Sequence, residues 1–505
     1  MKKTFLLLIV IGALHDNGFA QWGGLDNTFG SSGKLTTDFG SNDVAITIAM
    51  QADGKIVAAG YTADGSDFSA ALARYKIDGS LDSSFGINGK VITVGPNGYS
   101  LSSIAIQPDG KIVAGGSAYL SYYYLIIRYN NDGSLDSTFG ENGVVTQPTD
   151  GGISSIALQE DGRIVVVGTV EYLIFPKSSG MFLFTYNSDG TLDSTFLGGF
   201  IDFEPYDAWA YDVAIQSDKK IVVAGFSDSG AFLIRYFTLV RVDSNGLLDS
   251  SFGINGKAVT ALGSSSQGYS LTIQPDGKMV VAGNSYNDLD EKTYLVRYNS
   301  NGTVDSTFGT NGIVAGSNYY FSDVTKQPDG KIVVAGDYSY NGMNDFAVLR
   351  YNTDGSPDNS FGLSGKTTTN FGSNSESALA VAMQADGKIV LAGYSNNDFA
   401  LARYLSGLVV GVLDLTVKDP VAFIYPNPIC SEATLEYALT KEECISISLF
   451  NLQGDKVESF ITNESKTPGE HQQQLIFDQS LPCGNYILSI SNGIHSQSIK
   501  IIIAK

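Results

Sequence analysis

A unit of about 56 residues recurs seven times along this chain, and that recurrence restricts the fold more than any other feature. One clean copy reads Leu81-Asp82-Ser83-Ser84-Phe85-Gly86, then Gly89-Lys90-Val91, then Gln107-Pro108-Asp109-Gly110-Lys111-Ile112-Val113, and closes with Ile127-Arg128-Tyr129. The Gln-x-x-Gly-Lys element, with small variations, starts at Gln51, Gln107, Gln159, Gln216, Gln274, Gln327 and Gln384. The Leu-Asp-x-x-Phe element starts at Leu25, Leu81, Leu135, Leu192, Leu248, Val304 and Pro357. Short β-prone runs alternate with Pro108-Asp109-Gly110 and Asn131-Asp132-Gly133, where Asp and Asn bond their own backbone and Gly supplies positive φ. Four strands per unit joined by tight hairpins are the content of one propeller blade. Runs such as Lys331 to Gly336 are apolar on both faces, as a strand between neighbouring blades must be.

The ends of the array favour a closed ring over a linear solenoid. A solenoid needs atypical capping repeats, yet the first and last units here are regular. The array opens with Leu25 to Gly40, ahead of its first Gln-x-x-Gly-Lys element, and closes on Leu401-Ala402-Arg403-Tyr404 with no following Gly-Lys strand. A strand around Gly33 to Thr37 is therefore expected to complete the last blade, which removes the free sheet edges. Two irregularities interrupt the pattern. Glu171 to Gly180 lengthens a loop in the third unit, and Ala231 to Val242 in the fourth reads as an extended or duplicated strand. The fourth unit also carries Ser217-Asp218-Lys219-Lys220, with Lys where Gly is usual.

Residues 1–20 read as a signal peptide: Lys2 and Lys3, an apolar run, then small residues before a cleavage point between Ala20 and Gln21. No other stretch reaches the length of a membrane-spanning helix. Residues 21–405 form the propeller, 406–420 a linker, and 421–505 a second domain whose six or seven alternating strands predict a small Ig-like β-sandwich. The fold class is all-β. Cys430, Cys444 and Cys483 all lie in the second domain; in an oxidising compartment one pair can bridge, and the spacing leaves the pairing open.

Composition removes several functions. A formal net charge of −21 argues against nucleic acid and against docking on anionic lipid. The histidines are His15, His471 and His495, so the propeller has neither His nor Cys. Ser-His-Asp and Cys-His catalysis and histidine-ligated metals are thereby excluded from it. Asp26, Asp82, Asp136, Asp193, Asp249, Asp305 and Asp358 recur once per unit and are read as blade construction, partnered by Arg74, Arg128, Arg241, Arg297, Arg350 and Arg403. A carboxylate pair for glycoside cleavage would come instead from unrepeated acids such as Glu204 or Asp212. The loops Asn130 to Asp136 and Asn352 to Asp358 echo calcium loops but lack the acids of an EF-hand, and Asx-turns account for the same letters. No cofactor is expected, with calcium as the alternative. Tyr206, Trp209 and Tyr211 are the candidate binding residues, since exposed aromatics stack on sugars or anchor proteins; packing between blades is the competing account.

The repeat, on Leu-Asp-Ser-x-Phe-Gly, Gln-Pro-Asp-Gly-Lys-Ile-Val and Arg-Tyr-Asn-x-Asp-Gly, resembles the delta-60 repeat family of bacterial β-propellers over about residues 22–405. That resemblance implies architecture and no defined activity. The tail carries Tyr425-Pro426-Asn427-Pro428, a middle element through Gly454, Leu481-Pro482-Cys483-Gly484-Asn485-Tyr486, and a close from Lys500. In these it is similar to the C-terminal sorting domain of type IX secretion cargo in Bacteroidota, which implies the type IX machinery as partner. Release from the cell or attachment to its surface follows from that resemblance. The reading is a secreted or surface propeller acting as a non-enzymatic binding or adhesion module for a glycan or protein. A polysaccharide-active enzyme and a structural surface component are the alternatives.

Overall fold

The computed structural model describes residues 22–407 and 423–504, apart from 97, 119–122, 172–178, 202, 204–206, 230–233, 264, 286–291, 341, 374, 427–428, 440–441, 452–455, 479, 483 and 492–495. The signal segment, with Ala20 and Gln21, and residues 408–422 lie outside the described residues.

Residues 34–404 build seven four-stranded antiparallel sheets. The second blade comprises Tyr99–Ile106, Ile112–Ala118, Tyr123–Tyr129 and Val144–Pro148, in that order from the axis outward. The first strand of every blade packs against those of both neighbours, which arranges the sheets around a common axis. Blade and sequence unit are out of phase by one strand: Lys90–Thr93, which opens a sequence unit, is the outer strand of the preceding blade. The ring closes as expected. Lys34–Thr37 pairs with Asp398–Tyr404, from Lys34 opposite Ala402 to Thr37 opposite Phe399. Behind this seam Phe29, Ala45 and Ile56 share a buried cluster with Val390, Phe399 and Leu401.

The invariant letters of the repeat meet in one module on one face of the ring. Asp82 Oδ1 accepts from Ser84 N at 3.2 Å and Ser84 Oγ at 2.7 Å, while Oδ2 accepts from Arg74 Nε at 2.9 Å. The Arg74 guanidinium lies 4.6 Å above the Phe85 ring, and its Nη1 donates to the Asn131 carbonyl of the next blade. Burial pushes the Asp82 carboxyl up, but the Ser84 hydrogen bonds and the charges of Arg74 and Lys55 outweigh it and hold the group at about 2. The repeated acids are thus structural. In the third blade Thr185 replaces the arginine, and Arg163, in the position of the repeat lysine, reaches Asp193 at 3.0 Å instead.

The fourth-blade irregularities resolve simply. Its third strand is Arg235–Val242, a single strand of ordinary length with Phe237 opposite Phe226, so the expected duplication is absent among the described residues. Lys219 takes the left-handed turn position (φ 67°) that Gly110 occupies in the second blade.

In the second domain Phe423–Tyr425, Glu432–Leu439 and Gly469–Ile476 form one sheet. Lys456–Lys466, Glu443–Phe450, Gly484–Ser491 and Ser496–Ile503 form the other. Leu435, Tyr437 and Leu475 from the first sheet meet Ile447, Leu488 and Ile501 from the second in a common core, which is a β-sandwich. Cys430 and Cys444 are free and exposed, and Cys483 lies outside the described residues. No helix among the described residues is long and apolar enough to cross a membrane.

Candidate functional site

Each innermost strand slips register by one residue at the same height. The slipped residues are Ile46, Ser102, Ser154, Tyr211, Tyr269, Ser322 and Leu379. Such a β-bulge leaves one residue unpaired and re-aims its side chain. The bulge is set by a repeated glycine on the second strand, for example Gly60, Gly225 and Gly336, which pair with Ala45, Ala210 and Phe321. A Cβ on any of these three would lie 2.0 Å or less from a carbonyl oxygen of the inner strand.

All seven bulge residues line a cavity of about 800 Å³ at the axis, together with Asn42, Tyr61, Tyr320, Ser375, Tyr394 and Asn397. The lining comes from the starts of the inner strands, so the cavity opens on the face away from the Gln-x-x-Gly-Lys turns. The hairpins between second and third strands rim that face, among them the turn between Ser395 and Asp398. One arc of the cavity is aromatic. Tyr211 and Tyr269 have ring centroids 4.9 Å apart, and Tyr269 and Tyr320 6.2 Å. The hydroxyls of Tyr269 and Tyr211 donate to Gln267 Oε1 at 2.8 and 3.4 Å, which holds both rings in place.

Of the aromatic candidates, Tyr211 reaches the cavity and Tyr206 lies outside the described residues. Trp209 is half-buried and stacked on Phe226 (centroids 4.4 Å apart), with the Arg235 guanidinium 5.8 Å over its ring. Glu204 is outside the described residues. Asp212 is a stitch between blades: its carboxylate accepts from Ser155 Oγ at 2.8 Å and from the Leu271 amide at 2.8 Å. Asp323 repeats this towards the next seam, accepting from Val381 N at 2.8 Å. Ser270 sits between the two acids, 2.7 Å from Asp323 Oδ1 and 3.2 Å from Asp212 Oδ2, with one hydroxyl proton to give. Burial, and then the charge of Asp323, push Asp212 up to about 6.

Sequence reasoning missed Tyr269, and also Asn284 and Asp337, which follow the repeated glycine. Asn284 Oδ1 accepts from the Phe321 amide at 2.9 Å, and Asp337 Oδ1 accepts from the Ala378 amide at 2.9 Å, each in the next blade. The available signal was variation at a fixed place: Tyr61, Ser117, Thr169, Phe226, Asn284, Asp337 and Tyr394 are six residue types at seven positions beside an unchanging Gly.

These acids give the propeller an unusual pH response. Burial raises Asp337 to about 7 and Asp212 to about 6. The folded state therefore holds more protons than the unfolded chain between about pH 4 and 7, so stability falls as pH rises through that window. Below it, acids held low, such as Asp82, lose their contribution as they protonate. Thermal unfolding should show a maximum near pH 5 and a decline to pH 8. Asp337→Asn, which copies Asn284, should flatten that decline; an unchanged profile in the variant would refute the assignment.

In the second domain Tyr425 is exposed and its hydroxyl donates to Glu436 Oε1 at 2.6 Å. Tyr486 is buried, and its hydroxyl donates to the Pro482 carbonyl at 2.9 Å. Gly484 pairs with Ile503 and Ile487 with Lys500, where Ser496–Ile503 forms the edge of its sheet, and Pro426 follows Tyr425 at the end of the first strand. Asn427, Pro428 and Gly454 lie outside the described residues.

The family model described as a domain of unknown function (DUF5122) beta-propeller matches residues 51–85, 107–139, 159–196, 216–252, 274–308, 327–361 and 384–408. A second, described as a secretion system C-terminal sorting domain, matches residues 423–504. No curated protein matches the chain. Among solved structures the chain is similar to PorZ of Porphyromonas gingivalis, described as an essential bacterial surface component of the type IX secretion system. Identity there is 12% and the TM-score 0.43, over 92% of this chain and 60% of that one. It is similar to Sqt1 of Chaetomium thermophilum at 15% identity and a TM-score of 0.44, over 73% and 96% of the two chains. The polysaccharide lyase Uly1 aligns at 11% identity and a TM-score of 0.45, over 78% and 94%.

Proposed function

Because the chain belongs to the DUF5122 β-propeller family and ends in a sorting domain that directs it to the cell surface or beyond, we propose that its propeller binds carbohydrate in the central cavity. The observation that carries this reading is the arc of Tyr211, Tyr269 and Tyr320, which lines one cavity together with Ser102, Ser154 and Ser322. Sugar rings offer apolar faces to aromatic side chains and hydroxyls to polar ones, and this lining supplies both. The bulge residues are Ser in three blades, Tyr in two, and Ile and Leu in the others, an asymmetric lining such as a surface specific for one ligand requires, whereas the opposite face repeats. An enzymatic reading at Asp212 would need that carboxylate to leave the hydrogen bonds that join its blade to the next.

The test is retention of the full chain on an array of immobilised glycans. Retention on one class without release of reducing sugar is expected, together with a loss of tenfold or more (roughly 1.4 kcal/mol or above) in Tyr211→Ala and Tyr269→Ala. Undiminished retention by both variants would remove the cavity from the account, and sugar release would replace binding with catalysis.

A further inference from the structure

The seam where the ring closes gathers three acids. Asp38 follows the closing strand Lys34–Thr37, Asp43 lies in the first inner strand Asn42–Met50, and Asp398 begins the last strand Asp398–Tyr404. One carboxylate oxygen from each lies within 4.8 Å of the others. Asp43 is fully buried (0% exposed), and its Oδ1 accepts no hydrogen bond, while Oδ2 accepts from the Phe39 amide at 2.5 Å. A buried carboxylate oxygen without a partner is costly, and here two further acids stand beside it. The nearby Lys90 directs its ammonium to the Asp38 carbonyl oxygen at 2.9 Å and lies 5.5 Å over the Phe39 ring.

The preceding seam provides an internal comparison. Its loop repeats the same letters, Phe371-Gly372-Ser373-Asn374 for Phe39-Gly40-Ser41-Asn42, and places Asn370, Glu376 and Asp345 where this seam has Asp38, Asp43 and Asp398. There the cluster is satisfied. Asn370 Nδ2 donates to Asp345 Oδ1 at 2.7 Å, and both Glu376 oxygens accept from backbone amides of Phe371 and Ser373 at 2.8–3.0 Å. Exchanging that amide donor for the Asp38 carboxylate removes the donor seen at the preceding seam and adds a negative charge. Lys90 is one cation beside three acids, so the cluster keeps an excess of negative charge that a bound cation would offset.

We propose that Asp38, Asp43 and Asp398 bind one calcium ion that fastens the closing strand to the first and last blades. Hard carboxylate oxygens are its ligands, and oxygens on opposite sides of an ion with contacts of about 2.3–2.6 Å are separated by up to about 5 Å. Calcium also tolerates the irregular arrangement of three acids from three separate segments, where magnesium demands a tighter octahedron. The site differs from the loops Asn130 to Asp136 and Asn352 to Asp358. In those, Asp132 and Asp354 close Asx-turns, and Asp136 and Asp358 are paired with Arg128 and Arg350.

The experiment is calorimetric titration of the full chain with calcium chloride, paired with thermal unfolding in calcium and in chelator. The wild type should take up the ion at a single site, and at a hundredfold excess over Kd its Tm should rise by about 3 °C. Asp38→Asn, which rebuilds the arrangement of Asn370, should fold, bind no calcium at this site and melt in chelator no lower than the wild type. Absence of uptake by the wild type overturns the proposal. An isotherm unchanged in Asp38→Asn overturns it equally.

Discussion

Truncating Arg403 to alanine should lower the stability of the propeller by about 3–5 kcal/mol, the cost of removing one partner from a buried ion pair, and should free the N-terminal strand. Arg403 is 1% exposed. Its Nε donates to Asp26 Oδ2 at 2.9 Å, its Nη2 to Thr28 Oγ1 at 3.1 Å, and its Nη1 to the Ile77 carbonyl. The guanidinium also lies 4.5 Å over the Phe29 ring. The same contacts occur in other blades between residues close in sequence, but here they join the two ends of the array. Losing them leaves Asp26 buried with its guanidinium partner gone and loosens the segment that carries Lys34–Thr37. An exposed pair such as Lys466 with Glu464 contributes far less, because solvent screens it. Urea unfolding measures the loss, and limited proteolysis should cut first near the N-terminus of the variant. The third blade supplies a rescue. It lacks the strand arginine and uses Arg163 at the position of the repeat lysine, so Lys388→Arg should restore part of the loss in Arg403→Ala. Wild-type stability in Arg403→Ala would show that the seam is held by strand pairing alone.

Gly225→Ala should be comparably disruptive, and its effect should reach the cavity. An added Cβ would lie 1.8 Å from the Trp209 carbonyl oxygen, a backbone atom that no rotamer change can move aside. Overpacking typically costs about 1–3 kcal/mol; a backbone-on-backbone clash belongs at the top of that range or above it. Relief requires the inner strand to shift, which undoes the bulge that aims Tyr211 into the cavity. Thermal unfolding should show the loss of stability, and the fluorescence of Trp209, stacked on Phe226 beside the bulge, should report the displaced strand. Carbohydrate retention should fall even where the variant is folded. A variant that kept both its Tm and its retention would mean that the bulge tolerates a side chain and does not position Tyr211.

Much of the architecture was legible before any coordinates. The recurrent Asp and Arg implied paired charges, and Asp82 with Arg74 shows the pairing. The absence of a final Gly-Lys strand implied that the chain's own start closes the ring, and Lys34–Thr37 does so. The site was less legible. Trp209 drew attention as an aromatic that could stack on a sugar, yet it stacks on Phe226 while Tyr269 and Tyr320 complete the arc. Asp212 read as a funnel acid, and its oxygens serve the join between blades. For Asp212 the difference arises from the bulge at Tyr211, since a one-residue slip turns every following side chain to the other face.

Sequence by itself determined the number of blades, because local periodicity repeats them, and the way the ring closes, because the last unit lacks its Gly-Lys strand; the tail was legible through its resemblance to a known sorting domain. Only the tertiary structure decided which residues face one another. Ser102, Ser154, Tyr211 and Tyr269 lie in four different blades, and Asp38 and Asp398 lie near opposite ends of the array. They meet because the inner strands converge on one axis and the first strand is paired with the last blade. That proximity is created by closure, and no local pattern records it.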